Sequence, residues 1–280
     1  MRKILIILLS GFLVNTSYAQ LTGKNGEEIL PKQGNFGITA DLTPLVRPLF
    51  NLSINESQHS VALFNNGKTL GAKYFLKDDL ALRAKFRFNR VSTKVKALVT
   101  DDLAEVSAID PPELDEFATL KEFNSTIILG VEKRRGDGRL QGVFGGETGV
   151  LFGNGLSVEY TYANEVTADN VAPLTTDFSN ETTILNSTAT GRIVSQNFGY
   201  NFSYILRGFV GMEYYFLPKM SLGLEFAWGM DLSSQKDGIY SEEFWDTTKS
   251  SVVVEENITR GKTSVGFDNY EAMLNFNFYF

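Results

Sequence analysis

Hydrophobic and polar positions alternate with a period of two over much of this chain, which is the signature of strands whose two faces meet different surroundings. The stretch from Phe267 to Phe280 shows it most plainly. From Tyr270 onward, Ala272, Leu274, Phe276, Phe278 and Phe280 fall on one side, and Glu271, Asn275 and Asn277 fall on the other. The same alternation predicts strands over Gly34 to Thr43, Thr69 to Leu76, Leu80 to Asn89 and Asn124 to Arg134. Further strands are predicted over Leu140 to Phe152, Phe202 to Leu217 and Ser221 to Leu232, and the fifth can continue after Gly155 through Tyr162.

Three connections are tight: Lys77 to Asp79, Arg135 to Arg139 with its Asp137-Gly138 hairpin pair, and Leu217 to Met220. The others read as long loops. The first runs to Gly67 and opens with Pro44 and Pro48, which cannot donate to a ladder. The second spans Val91 to Glu122, where acids accumulate and Pro111-Pro112 forbids regular structure. The third runs from Ala163 to about Phe198 and the fourth from Ser233 to about Ser264. Long and short connections in alternation predict an all-β fold, an eight-stranded antiparallel up-and-down transmembrane β-barrel with long extracellular loops. Lipid offers no hydrogen bonds to a sheet edge, so the last strand must pair with the Phe36 to Leu42 strand.

A secreted β-sandwich or lipocalin-like barrel would use the same alternation with its apolar face inward. Charge separates the two readings, because Arg83, Lys85 and Arg87 share one face of the third strand and cannot sit in lipid. Facing inward, Lys73, Arg83, Lys85, Arg87 and Arg207 supply cations, while Asp41, Glu132, Glu147, Glu213, Glu225, Asp231 and Glu271 supply anions. Such residues can pair inside a narrow cylinder, whereas a sandwich gives no reason for every strand to contribute.

The first residues fit that destination. Arg2 and Lys3, the apolar run from Ile4 to Val14 and the small-residue pattern ending at Ala19 read as a secretory signal peptide over residues 1–19, too short to span a bilayer as a helix. Residues 20–33, with Gly23, Gly26 and Pro31, read as a flexible periplasmic lead-in, and residues 34–280 as the barrel.

Composition narrows the chemistry. The chain has 22 Phe and 11 Tyr at near-neutral mean hydropathy, as when each lipid-facing residue has a polar neighbour. It has no cysteine and one histidine, which argues against a disulfide framework, a thiolate site or a histidine-rich metal site. The net charge of −7 argues against a nucleic-acid partner. No cofactor is expected.

With this strand pattern, the chain resembles the small OmpA/OmpX-type outer-membrane barrels, in the Asn- and Phe-rich style of Bacteroidota envelope proteins. Its ending, Asn275-Phe276-Asn277-Phe278-Tyr279-Phe280, resembles the aromatic β-signal read by the barrel assembly machinery, with Tyr270, Phe276, Phe278 and Phe280 as the carrying residues. The resemblance implies location in the bacterial outer membrane with both termini periplasmic.

An eight-stranded barrel has room mainly for side chains, so a charged interior is expected to be a salt-bridged plug; a narrow gated ion path lined by the same residues is the alternative. His59-Ser60 in the first loop offers two of the residue types that envelope-lipid hydrolases combine with an acid, but adjacency in a loop is no triad, and a solvated histidine is the simpler reading. Acids from Asp101 to Glu116 could bind divalent cations shared with lipopolysaccharide, or be a solvated loop; no EF-hand spacing is present. Phe117, Phe244 and Trp245 are either partner anchors or loop packing.

The expected role is therefore structural or surface-interacting and non-catalytic. The expected partners are outer-membrane lipid and lipopolysaccharide, and the assembly machinery during insertion. The alternatives are an accessory subunit of a larger outer-membrane complex for assembly, secretion or uptake, and a small pore or envelope-lipid-modifying enzyme.

Overall fold

The computed structural model describes residue 22 and residues 26–43, 68–104, 111–179, 186–188 and 191–280. Eleven strands appear in these segments. They are β1 (Phe36–Asp41), β2 (Lys68–Lys77), β3 (Leu80–Thr100), β4 (Glu113–Arg135), β5 (Leu140–Thr161), β6 (Arg192–Asn197), β7 (Tyr200–Leu217), β8 (Met220–Gln235), β9 (Gly238–Asp246), β10 (Ser251–Thr259) and β11 (Lys262–Tyr279).

Eight of them, β1, β2, β3, β4, β5, β7, β8 and β11, pair in that order and close into an antiparallel barrel. The seam joins β1 to β11 with Gly37 opposite Tyr279 and Ala40 opposite Phe276, as the requirement for closure predicts. The tight turns are at Asp78-Asp79, residues 136–139 and Pro218-Lys219, where Lys219 takes the left-handed conformation at φ 56°. Both termini of the barrel lie at this same end, since Phe36 and Phe280 exchange backbone hydrogen bonds of 3.0 and 2.9 Å. On the rim, Lys133 bonds the exposed carboxyl of Asp79 and holds it below the usual carboxylate range.

The alternation seen in the sequence becomes two opposite surfaces. Outside, large apolar side chains stand in the open, from 38% exposed at Leu76 to 65% at Phe267, on every barrel strand. Inside, Arg83, Glu132, Glu147, Glu213 and Glu225 are buried. This inversion, with apolar groups out and charges in, is the reverse of a water-soluble barrel.

Three expectations about connections are corrected. Residues 91–100 and 113–122 are not a loop: β3 and β4 continue through them in unbroken register from Leu80–Lys133 to Thr100–Glu113, and Pro111-Pro112 lies just before β4 begins. The third and fourth loops contain β6 and the β9–β10 hairpin, and β8 and β11 run past their expected ends to meet at Gln235–Lys262. The lead-in is not loose either, because residues 26–35 fold across the turn end of the barrel. Ile29 is fully buried among Phe75, Ala81, Tyr215 and Tyr279, and its carbonyl accepts from Lys219 N at 3.0 Å.

Above the loop-end rim the wall continues on one side only. At Gly155 strand β5 changes partner: below, Asn154 pairs with Tyr200 of β7, and above, Ser157 pairs with Asn197 of β6. Phe198-Gly199 joins β6 to β7, with Gly199 at φ 81°, which favours glycine. The upper halves of β3, β4 and β5 thus join β6, β9 and β10 in an open sheet. Its inner cluster of Ala118, Val158, Tyr160, Phe178 and Ile193 is buried beneath the segment that carries Phe178.

Candidate functional site: the ion network of the barrel interior

Strands β2, β3, β4, β5, β7, β8 and β11 each send a charged side chain inward because period two returns every second residue to the same face. Nearest the turn end stands Arg134. Its Nη2 donates to Glu213 Oε2 at 3.0 Å and to the Tyr279 hydroxyl at 2.8 Å, its Nε donates to Glu132 Oε1 at 3.0 Å, and Nη1 bonds the Tyr215 hydroxyl. Its guanidinium lies 4.3 Å from the Phe75 ring centre and 5.3 Å from that of Tyr279, so an aromatic box covers the cation.

One layer up, Lys73 lies 2.9 Å from Glu132 and 3.5 Å from Glu213. Glu213 also accepts from Ser221, Tyr279 and, at 3.1 Å, Asn277 Nδ2. At mid-height Arg83 Nη2 reaches both oxygens of Glu225 at 2.8 Å, while Lys85 approaches Glu225 at 2.6 Å and Glu147 at 3.4 Å. Arg83 Nε and Glu147 Oε2 face each other at 3.6 Å without a hydrogen bond, and the Arg83 guanidinium packs 4.0 Å from the centre of the Phe209 ring. Nearest the loop end, Arg207 bridges Glu147 and Glu271, Glu271 also pairs with Arg87, and Arg87 Nε donates to Thr69 Oγ1 at 2.9 Å. The pairs share partners from layer to layer, forming one connected array along the barrel axis.

The structure therefore brings together Lys73, Arg83, Lys85, Arg87, Glu132, Glu147, Arg207, Glu213, Glu225 and Glu271. It does not bring in Asp41 and Asp231, which form no ion pair among the described residues. Asp41 accepts from Thr43 N at 2.8 Å and Asp231 from Ser233 Oγ at 2.6 Å, so both serve local turns and hydroxyls near the rim. Arg134 was the missed member. The inward register of Gly130 and Glu132, carried two residues further, points to it.

On the terminal strand, Phe278 and Phe280 are 42% and 51% exposed and Phe276 is half-buried on the same outer face. Tyr270 pairs with Trp228 across β11 and β8, and its side chain lies outside the described residues. His59 and Ser60 also lie outside them.

Other candidates take a different place from the one expected. Glu116, read as part of a solvated acidic loop, is fully buried on β4, where its carboxylate accepts from Ala163 N at 3.2 Å and Thr176 N at 2.7 Å. Asp102 likewise accepts from Asn170 Nδ2 at 2.7 Å and Leu174 N at 2.8 Å. These acids anchor the segment above the rim by satisfying its backbone donors. Among the described residues no cluster of His, Asp or Glu is placed to hold a metal ion. Phe117 lies under Lys94, 3.8 Å from its ammonium, and Phe244 and Trp245 sit half-buried on β9.

No family model matches the chain, and no curated protein matches it. Solved structures do. The outer membrane protein OprG from Pseudomonas aeruginosa is 15% identical, with 90% of this chain and 98% of that chain covered at a TM-score of 0.32. Outer membrane protein W from E. coli is 12% identical, with 90% and 100% covered at 0.31. A major outer membrane protein from Thermus thermophilus is 13% identical, with 88% and 98% covered at 0.29.

Proposed function

We propose that this chain is an integral barrel of the bacterial outer membrane, non-catalytic, with its interior closed by ion pairs and its outer sheet as the working surface. The apolar outer wall supports the membrane placement, since burying so many half-exposed aromatic and aliphatic side chains in lipid removes their contact with water. In that placement the turn end and both barrel termini face the periplasm, lipid and lipopolysaccharide surround the wall, and the aromatic ending serves the assembly machinery.

The observation that carries the closed-interior reading is the unbroken succession of shared pairs from Arg134 to Arg87. An ion would have to displace bonded carboxylates and guanidinium groups at every layer. Planar-bilayer recording of the purified barrel tests this: a silent membrane is the expected result, and long-lived unitary openings would refute it.

A second reading, an accessory subunit of a larger outer-membrane complex, is favoured by the open sheet above the rim, which ends in strands whose outer edges are unpaired among the described residues. Purification in mild detergent decides it. A large partner recovered in equal amount supports the subunit, and recovery of the barrel without one supports the independent protein.

A further inference from the structure

The open sheet above the rim has two ends. At one, β10 pairs, among the described residues, with β9 alone, and Val252, Val254 and Ile258 are 42, 57 and 69% exposed. The strand has neither lysine nor proline, the residues that usually blunt an edge. At the other, β3 runs on from Phe88, its last pairing with β2, to Thr100, and no described strand pairs with this outer side. We propose that these edges are complementary, and that β10 of one copy docks on the upper part of β3 of a second copy beside it in the membrane.

Three observations select that occupant. The first is charge along a single rank of the sheet. Cross-strand pairing runs from Lys94 to Thr119, Glu159, Ser195, Ser241 and Glu256, all on one face, so the rank begins in a cation on β3 and ends in an anion on β10. Adding a second copy beyond β10 sets Lys94 opposite Glu256.

The second is direction. Each neighbour in the order β3, β4, β5, β6, β9, β10 is antiparallel to the last, so β3 leaves the membrane and β10 returns toward it. Two barrels inserted with the same orientation therefore offer these edges to each other as an antiparallel pair. The third is register. Thr93 and Asn257 are the ends of the neighbouring rank through Leu120, Val158, Gln196 and Tyr240, so successive ranks of the sheet end in successive residues of the two edges. Pairing β10 with β10 would instead oppose carboxylates. The contact is heterologous, with different patches on the two copies.

This inference rests on the membrane placement proposed above, and the test separates the two. The chain has no cysteine, so Thr93→Cys and Asn257→Cys report pairing on a clean background while keeping the charged rank. The variants carry different tags, are produced together in the outer membrane and are oxidised mildly. The expected result is a mixed disulfide dimer well above the level seen with either variant alone. Lys94→Glu in the Thr93→Cys copy should reduce it severalfold, and Glu256→Lys in the Asn257→Cys copy should restore it. A barrel present in the membrane fraction with no mixed dimer, or with equal dimer in the single-variant samples, overturns the pairing alone. A folded barrel absent from that fraction overturns the placement and the pairing with it.

Discussion

Arg83 of β3 and Glu225 of β8 meet across the interior of the barrel, with the guanidinium Nη2 at 2.8 Å from both carboxylate oxygens, although their strands are not neighbours in the wall. This bond ties opposite sides of the cylinder together, a task that the ladder between adjacent strands cannot perform.

Removing one partner should cost more than the pair contributes. Glu225→Ala leaves Arg83 and Lys85 buried beside a missing carboxylate and should destabilise the barrel by about 3 to 5 kcal/mol. Replacing Arg83 and Glu225 together with Met and Leu should recover part of the loss. Thermal unfolding in detergent checks both, and a Glu225→Ala variant that melts like the parent would remove the structural weight given to the network.

The aromatic box makes a graded prediction. Arg134→Ala strands Glu213, Glu132 and the Tyr215 and Tyr279 hydroxyls together, whereas Tyr279→Phe removes one partner of Arg134 and one of Glu213. The first should cost about 3 to 5 kcal/mol and the second about 1 to 3 kcal/mol. Equal losses in urea unfolding of the two variants would contradict the layered arrangement.

Legibility followed the surroundings of each strand. Within the barrel one face is apolar and one charged, so Leu82, Phe86 and Phe88 against Arg83, Lys85 and Arg87 announced β3 without ambiguity. Just above the rim Ser92, Thr93 and Lys94 are all exposed, and the two-fold apolar pattern that marks a strand lapses there before Val95 and Ala97 pack against the upper cluster. Pro111-Pro112 then suggested a longer interruption, although β4 begins directly after it. The interior array was legible because charges cannot face lipid; its connectivity was not, since Asp41 and Asp231 share the inward register yet bond locally. Arg134 was overlooked because it stands at the end of its strand beside an obvious turn, and Ile29 because nothing periodic surrounds it.

Ile29→Ala should loosen the turn end. The side chain is fully buried, and truncating it leaves a cavity against Phe75, Tyr215 and Tyr279, at a cost of about 2 to 5 kcal/mol. Limited proteolysis near Glu27 and Glu28 should accelerate, while the β1–β11 seam stays intact. Unchanged cleavage would show that the packing of this segment is incidental.

Deleting Phe280 removes both backbone hydrogen bonds it exchanges with Phe36 and the ring 5.4 Å from that of Phe36. The amount of folded barrel in the outer membrane should fall severalfold. The measurement is the heat-modifiable band in membrane fractions, and parental levels would count against an assembly role for the aromatic end.

The packing of Ile29 also fixes a sequence of events. Its socket is built from Phe75 and Ala81 near the start of the barrel and from Tyr215 and Tyr279 near the finish. The carbonyl of Ile29 accepts from Lys219, and the carbonyl of Lys219 accepts from Tyr279 N at 2.8 Å. The segment that precedes the first strand therefore has its full socket only once the last strand is in place, so its docking records that the cylinder is complete.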